Sequence, residues 1–153
     1  MYGELAIGAA GIMATVEYIL PPSEYATPLL RTEYSMEERW RDLLERIATP
    51  SPDGFLANVT VVSDPRLDGM TADDIQGLAS AGRRPILTLV ADTRALTDDG
   101  FPILVVDTYG RDQRSFRVTA ACLWSVENNL SLANLDWEDF ADNVDPDGVY
   151  RDC

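Results

Sequence analysis

The sequence predicts a single α/β domain on a mixed, mostly parallel five-stranded sheet, with elements in the order β-α-β-α-β-β-β-α-α. Three observations carry that prediction. Short apolar runs alternate with segments whose apolar residues recur at helical spacing, the pattern of crossover-linked parallel strands. The fourth and fifth runs are separated only by a short turn, which makes them a hairpin and the sheet mixed. The 153 residues suit one domain, and a chain of about 150 residues buries roughly 68–70% of its unfolded surface.

Taken in order, the chain opens on an apolar stretch, Leu5 to Val16. It is too short to span a bilayer, which takes ~20 residues, and Glu4 stands where a signal peptide carries a basic residue. Pro21, Pro22 and Pro28 bracket a polar stretch that reads as a linker, so residues 1–28 are assigned to an N-terminal extension and 29–153 to the domain. Leu29 to Thr32 is the first strand. Ser35 with Glu38 has the spacing of a capping box, followed by Trp40, Leu43, Leu44 and Ile47 on one helical face, until Pro50 and Pro52 stop the helix. Leu56 to Val62 follows the Asp53-Gly54 turn as strand two. Thr71 with Asp74 caps a short helix through Ile75, Leu78 and Ala79 that ends at Gly82. Ile86 to Ala91 and Ile103 to Val106 are continuous apolar strands, and Tyr109 to Asp112 turns the chain into Ser115 to Thr119. Two helices close the domain, over 120–132 and, capped by Asp136, over 137–143.

Composition removes most catalytic options. The chain carries 26 acidic and 12 basic residues, a net charge of −14, and no histidine; all twelve bases are arginine. Ser-His-Asp and Cys-His catalysis, His-ligated metals, lysine Schiff bases and the P-loop lysine are therefore excluded. The charge argues against binding nucleic acid phosphates or anionic membranes, and suits a basic protein partner or a cation. Cys122 in an apolar context and Cys153 at the last position are not expected to form a disulfide framework, so a reduced, cytoplasmic setting is expected.

Three constellations remain. Strands two, three and four run into Asp64, Asp92 and Asp107. If those strands are parallel, the carboxylates share the edge where open α/β sheets bind ligands and could hold Mg²⁺ for phosphoryl transfer, with Arg94 contacting a substrate anion. The second constellation is Trp124 to Ser131, where Glu127, Asn128 and Asn129 are unusually polar for an amphipathic helix. An open pocket there would favour small-ligand recognition, and a satisfied buried network would leave protein binding ahead. The third is charge asymmetry: from Thr119 onward there are eight acids and one arginine. Asp136, Glu138, Asp139 and Asp142, with Asp145 and Asp147, would form a negative patch, and Trp137 and Phe140 among them would serve as anchors of a protein interface. Asn143 to Gly148 has the start of a calcium loop but lacks its terminal glutamate, and reads as a turn.

The stretch from Leu29-Leu30-Arg31-Thr32 to the Asp145–Tyr150 turn resembles a family of small actinobacterial proteins of unknown function. The resemblance rests on that opening strand, Val62-Ser63-Asp64-Pro65, the Asp92 and Asp107 strand ends and, most specifically, Trp124 to Asn134. It implies a cytosolic domain and assigns no reaction. The leading expectation is a non-enzymatic acidic protein-binding module without a cofactor, comparable to immunity or inhibitor proteins that neutralise basic partners. The alternative is the Mg-dependent phosphoryl-transfer enzyme.

Overall fold

A computed structural model describes residues 26–79, 85–109 and 114–153. Their elements are β1 (Thr27–Arg31), α1 (Glu37–Ile47), β2 (Val59–Val62), α2 (Ala72–Ala79), β3 (Leu87–Ala91), α3 (Thr93–Thr97), β4 (Ile103–Asp107), β5 (Phe116–Val118), α4 (Leu123–Ser131), α5 (Trp137–Ala141) and β6 (Val149–Tyr150). The strands form one mixed sheet in the order β2-β1-β3-β4-β5-β6. The β1–β2, β1–β3 and β5–β6 pairs are parallel, whereas β3–β4 and β4–β5 are antiparallel. The α/β class and the mixed sheet agree with the sequence reading, with a sixth strand added.

Two apolar layers cover the sheet. Leu29, Leu89, Val105 and Phe116 face one side with Trp40 and Leu43 of α1, Leu123 and Val126 of α4 and Phe140 of α5. Leu30, Val90 and Val106 face the other with Leu67 and Ile75 of α2. Alternation along each strand puts neighbouring residues on opposite faces, so these near-continuous apolar runs are what a sheet buried on both sides requires. Pro28 is tolerated in central β1 because pairing with β3 begins only at Leu29, leaving the missing N–H without a ladder role there.

Several local expectations change. The Ser35–Glu38 capping box does not form. Met36 occupies the cap position, and the Ser35 N–H and hydroxyl both donate to Glu33 Oε2, at 2.9 and 2.6 Å. A carboxylate acceptor two residues earlier outcompetes the intended cap. The Thr71–Asp74 box does form, in both directions. Strand two starts at Val59 rather than Leu56, because Phe55 leaves the sheet to stack on Trp124 at 5.1 Å. The helix expected over 120–132 is a 3-10 turn, Ala120–Cys122, followed by α4. Asp92 caps α3, a short helix between β3 and β4 that the sequence reading does not contain. β6 follows the Asp145–Gly148 turn, which Gly148 closes at φ +83° by donating to the Asp145 carbonyl at 2.8 Å. The helix stop at Gly82 and the turn residues 110–112 lie outside the described residues.

The cysteine reading is overturned. Cys122 and Cys153 form a disulfide across a sequence separation of 31. Cys122 ends the turn after β5 and Cys153 lies just beyond β6. Because those strands are parallel neighbours, their carboxyl ends bring the two thiols together, a proximity that no sequence spacing could reveal.

Candidate functional site

The proposed metal edge is the first constellation the topology separates. β3 and β4 are antiparallel with Leu87 opposite Asp107, so Asp107 lies at the amino end of β3 while Asp92 follows its carboxyl end. The three-carboxylate arrangement therefore does not assemble. Among the described residues no group of three histidine, cysteine, aspartate or glutamate side chains is placed to hold a metal ion.

Asp64 and Asp92 instead meet arginines. Asp64 takes a bidentate pair from Arg66 at 2.9 and 2.5 Å, and that hydrogen bonding holds its carboxyl below the usual range. Asp92 takes a second bidentate pair from Arg117 at 2.9 and 2.7 Å. Burial opposes the charge on Asp92, but the Arg117 and Ala95 hydrogen bonds prevail and lower its pKa. Nearby, the buried Arg31 donates to Glu37 at 2.6 Å, and its guanidinium lies 4.4 Å from the Tyr34 ring centroid and 4.9 Å from that of Trp40. Arg94, expected to meet a substrate anion, pairs with Asp98 and donates to the Asp147 carbonyl. This edge is wired internally.

The Trp124–Ser131 segment is also structural. Glu127 is 2% exposed. Its Oε2 accepts from the hydroxyls of Thr27 at 2.9 Å and Ser131 at 2.6 Å, and its Oε1 accepts the Asn58 N–H at 2.6 Å. This network ties α4 to the start of β1 and the approach to β2. Asn129 donates to the Ser125 carbonyl at 2.8 Å, and its own carbonyl receives the Asn134 and Leu135 N–H groups. Asn128 is half-buried at the end of the helix and accepts from Leu132. Trp124 is half-buried under Phe55. Both Glu127 carboxylate oxygens are thus engaged within the fold.

The acidic third divides. Asp142 pairs with Arg114, and Asp145 and Asp147 share Arg151. The Asp147 carboxyl falls to about 2 through its Arg151 hydrogen bond. Asp136 and Asp139 form the capping box of α5, with Asp139 Oδ2 accepting from the Asp136 N–H at 2.7 Å. Trp137 and Phe140 are not surface anchors. Both are buried against Phe116, and Trp137 donates its indole N–H to the Arg114 carbonyl at 2.7 Å.

What the fold does assemble is a cavity of about 430 Å³ at the end of the sheet opposite Asp92. It is lined by Ile86, Asp107, Tyr109, Leu130, Ala133, Leu135, Asp136, Trp137 and Glu138. The volume falls in the range of ligand pockets, roughly 300–1,000 Å³. Four predicted site residues meet there: Asp107 from the metal reading and Asp136, Trp137 and Glu138 from the acidic patch. Asp107 is 3% exposed; its Oδ1 accepts the Tyr109 N–H at 3.0 Å, and its carbonyl accepts from Gln76. Ile86, Tyr109 and Leu135, which sequence reasoning missed, are 45%, 50% and 42% exposed. They belong to the few large apolar side chains left in solvent, and each flanks a strand or helix end that converges here. Three carboxylates line the cavity, and no arginine does among the described residues.

A family model for a domain of unknown function, DUF6924, matches residues 26–153. No curated protein matches the chain. The chain belongs to the DUF6924 family.

Proposed function

We propose that this DUF6924 domain is a non-enzymatic acidic protein-binding module that engages a basic partner, in the manner of an immunity or inhibitor protein, through the end of the sheet that carries the cavity. The observation that supports the reading is that the exposed acids Asp136 and Glu138 line the cavity beside the exposed Ile86, Tyr109 and Leu135. Exposed Leu132 and Leu135 adjoin it on the α4–α5 connection, supplying apolar area beside the charge. No described helix is long and apolar enough to cross a membrane. The disulfide weighs against the reduced cytoplasm expected from composition, and thiol labelling of native protein would report which state the cell holds.

The test is capture from native lysate with the wild type and with Asp136→Asn/Glu138→Gln, followed by titration of the purified captured partner. The reading expects a basic partner whose binding weakens with salt and is lost in the variant. Equal binding by the variant would remove this face from the proposal.

A further inference from the structure

The Cys122–Cys153 disulfide joins two residues of unequal access. Cys122 is 4% exposed and belongs to the core, at the amino end of α4. Cys153 is exposed. The bond fastens β6, a strand of two residues at one edge of the sheet. The other contacts holding that strand are few. The Arg117 N–H donates to the Gly148 carbonyl at 3.0 Å, and the Thr119 N–H donates to the Tyr150 carbonyl at 3.3 Å. Tyr150 meets Phe140 edge-on at 5.1 Å. Arg151 pairs with Asp145 and Asp147, but all three side chains are exposed, so salt screens those pairs. The centre of the sheet is different. β1 and β3 are paired, buried along their whole lengths, and lie outside the loop that the disulfide closes.

We infer that this disulfide is a thiol-exchange site, opened at Cys153 by a small thiol, and that opening it releases β6 from the β5 edge. The attacking thiolate bonds to the Cys153 sulfur as the Cys122–Cys153 bond breaks. The electron pair leaves on the Cys122 sulfur, which then takes up a proton. The product is a mixed disulfide on Cys153 and a free thiol at Cys122. A second small thiolate attacks the sulfur of the first, giving the small-molecule disulfide and the Cys153 thiol. Two small thiols are thus oxidised and one protein disulfide is reduced. Access sets the direction, because exchange depends on which sulfur a thiolate can reach, and the core covers Cys122. Cys122 also stands where the dipole of α4 favours a departing anion. The same placement makes Cys122 the resolving thiol. It can displace the small thiol from Cys153 and close the bond again.

The experiment treats the oxidised full chain with reduced glutathione, quenches with acid and maps the adducts by mass spectrometry. Glutathione should appear on Cys153 at least tenfold more often than on Cys122. Oxidised glutathione tests the return step. Reduced wild type should re-form the bond, Cys122→Ala should hold the adduct on Cys153, and Cys153→Ser should stay unmodified at Cys122. Amide hydrogen exchange on the wild type reads the release of β6 without any substitution. The Arg117 and Thr119 amides should exchange faster on reduction, widening their gap from the β1–β3 ladder amides at least tenfold. Four results would overturn the inference: a first adduct on Cys122, a bond that resists excess reduced glutathione, purified protein that never forms the bond under oxidising conditions, or exchange that accelerates evenly across the sheet and leaves that gap unchanged.

Discussion

At the carboxyl ends of β1, β2 and β3, Asp64 faces Arg66, Asp92 faces Arg117 and Glu37 faces Arg31, all within 3 Å. Just beyond the carboxyl ends of β5 and β6, which run the same way, the Cys122–Cys153 bond fastens the chain's last residue. At the other end, Asp107, Asp136 and Glu138 surround a cavity with no arginine among its described lining residues. The same side-chain chemistry thus closes one end of the molecule and opens the other. In doubly wound sheets the first end is where a ligand is usually sought. Here it is held by internal ion pairs, and the cavity lies at the second end. The lesson is that acidic content alone does not locate a site; where each acid lands in the fold does.

The largest expected effect lies at the closed end. Cys153→Ser, or reduction of the wild type, removes a cross-link over 31 positions, and chain entropy puts the loss of stability at up to about 4 kcal/mol. Urea unfolding with and without reductant measures it, and binding at the cavity should survive. Next is Arg117→Met, which leaves the largely buried Asp92 carboxylate without its bidentate partner. Breaking a buried pair costs roughly 3–5 kcal/mol; partial exposure of both side chains, 14% and 25%, reduces the expectation to about 2 kcal/mol.

Acidification sharpens the contrast further. Glu33 is held at about 2 by hydrogen bonds from Ser35 and Thr93, against an ordinary value of 4.5. A carboxyl with a lower pKa folded than unfolded binds fewer protons in the native state, so its contribution is complete above pH 4.5 and is lost as pH falls toward 2. Asp64, Asp92 and Asp147 shift in the same direction. Stability should therefore fall across that window, and Glu33→Gln should flatten the slope. The smallest effect belongs to the open end: Asp136→Asn with Glu138→Gln should change stability by no more than about 0.5 kcal/mol, since asparagine caps α5 as well as aspartate does.

The elements themselves were largely legible. Apolar runs located β1, β3, β4 and β5, and the Thr71–Asp74 and Asp136 caps marked two helix starts, because these signals are local. The misses were competitions settled in space. Ser35 was drawn to Glu33, Phe55 to Trp124, and two-residue β6 exists only because β5 offers it a parallel neighbour. The metal edge failed on one antiparallel pairing, β3 with β4, across a connection that contains α3; the sequence marked only strands four and five as a hairpin. Half of the cavity was visible in sequence as acids and Trp137. Ile86, Tyr109 and Leu135 were not, since apolar residues at element ends look like core until the sheet is assembled.

The most direct measurement compares two variants with the same change in net charge. Asp136→Asn/Glu138→Gln removes two acids from the cavity, and Glu38→Gln/Asp42→Asn removes two exposed acids from α1. When the purified basic partner is titrated into each, the cavity variant should lose severalfold affinity while the α1 variant matches the wild type. Equal weakening in both would show that only overall charge attracts the partner, and would contradict the division between a closed end and an open one.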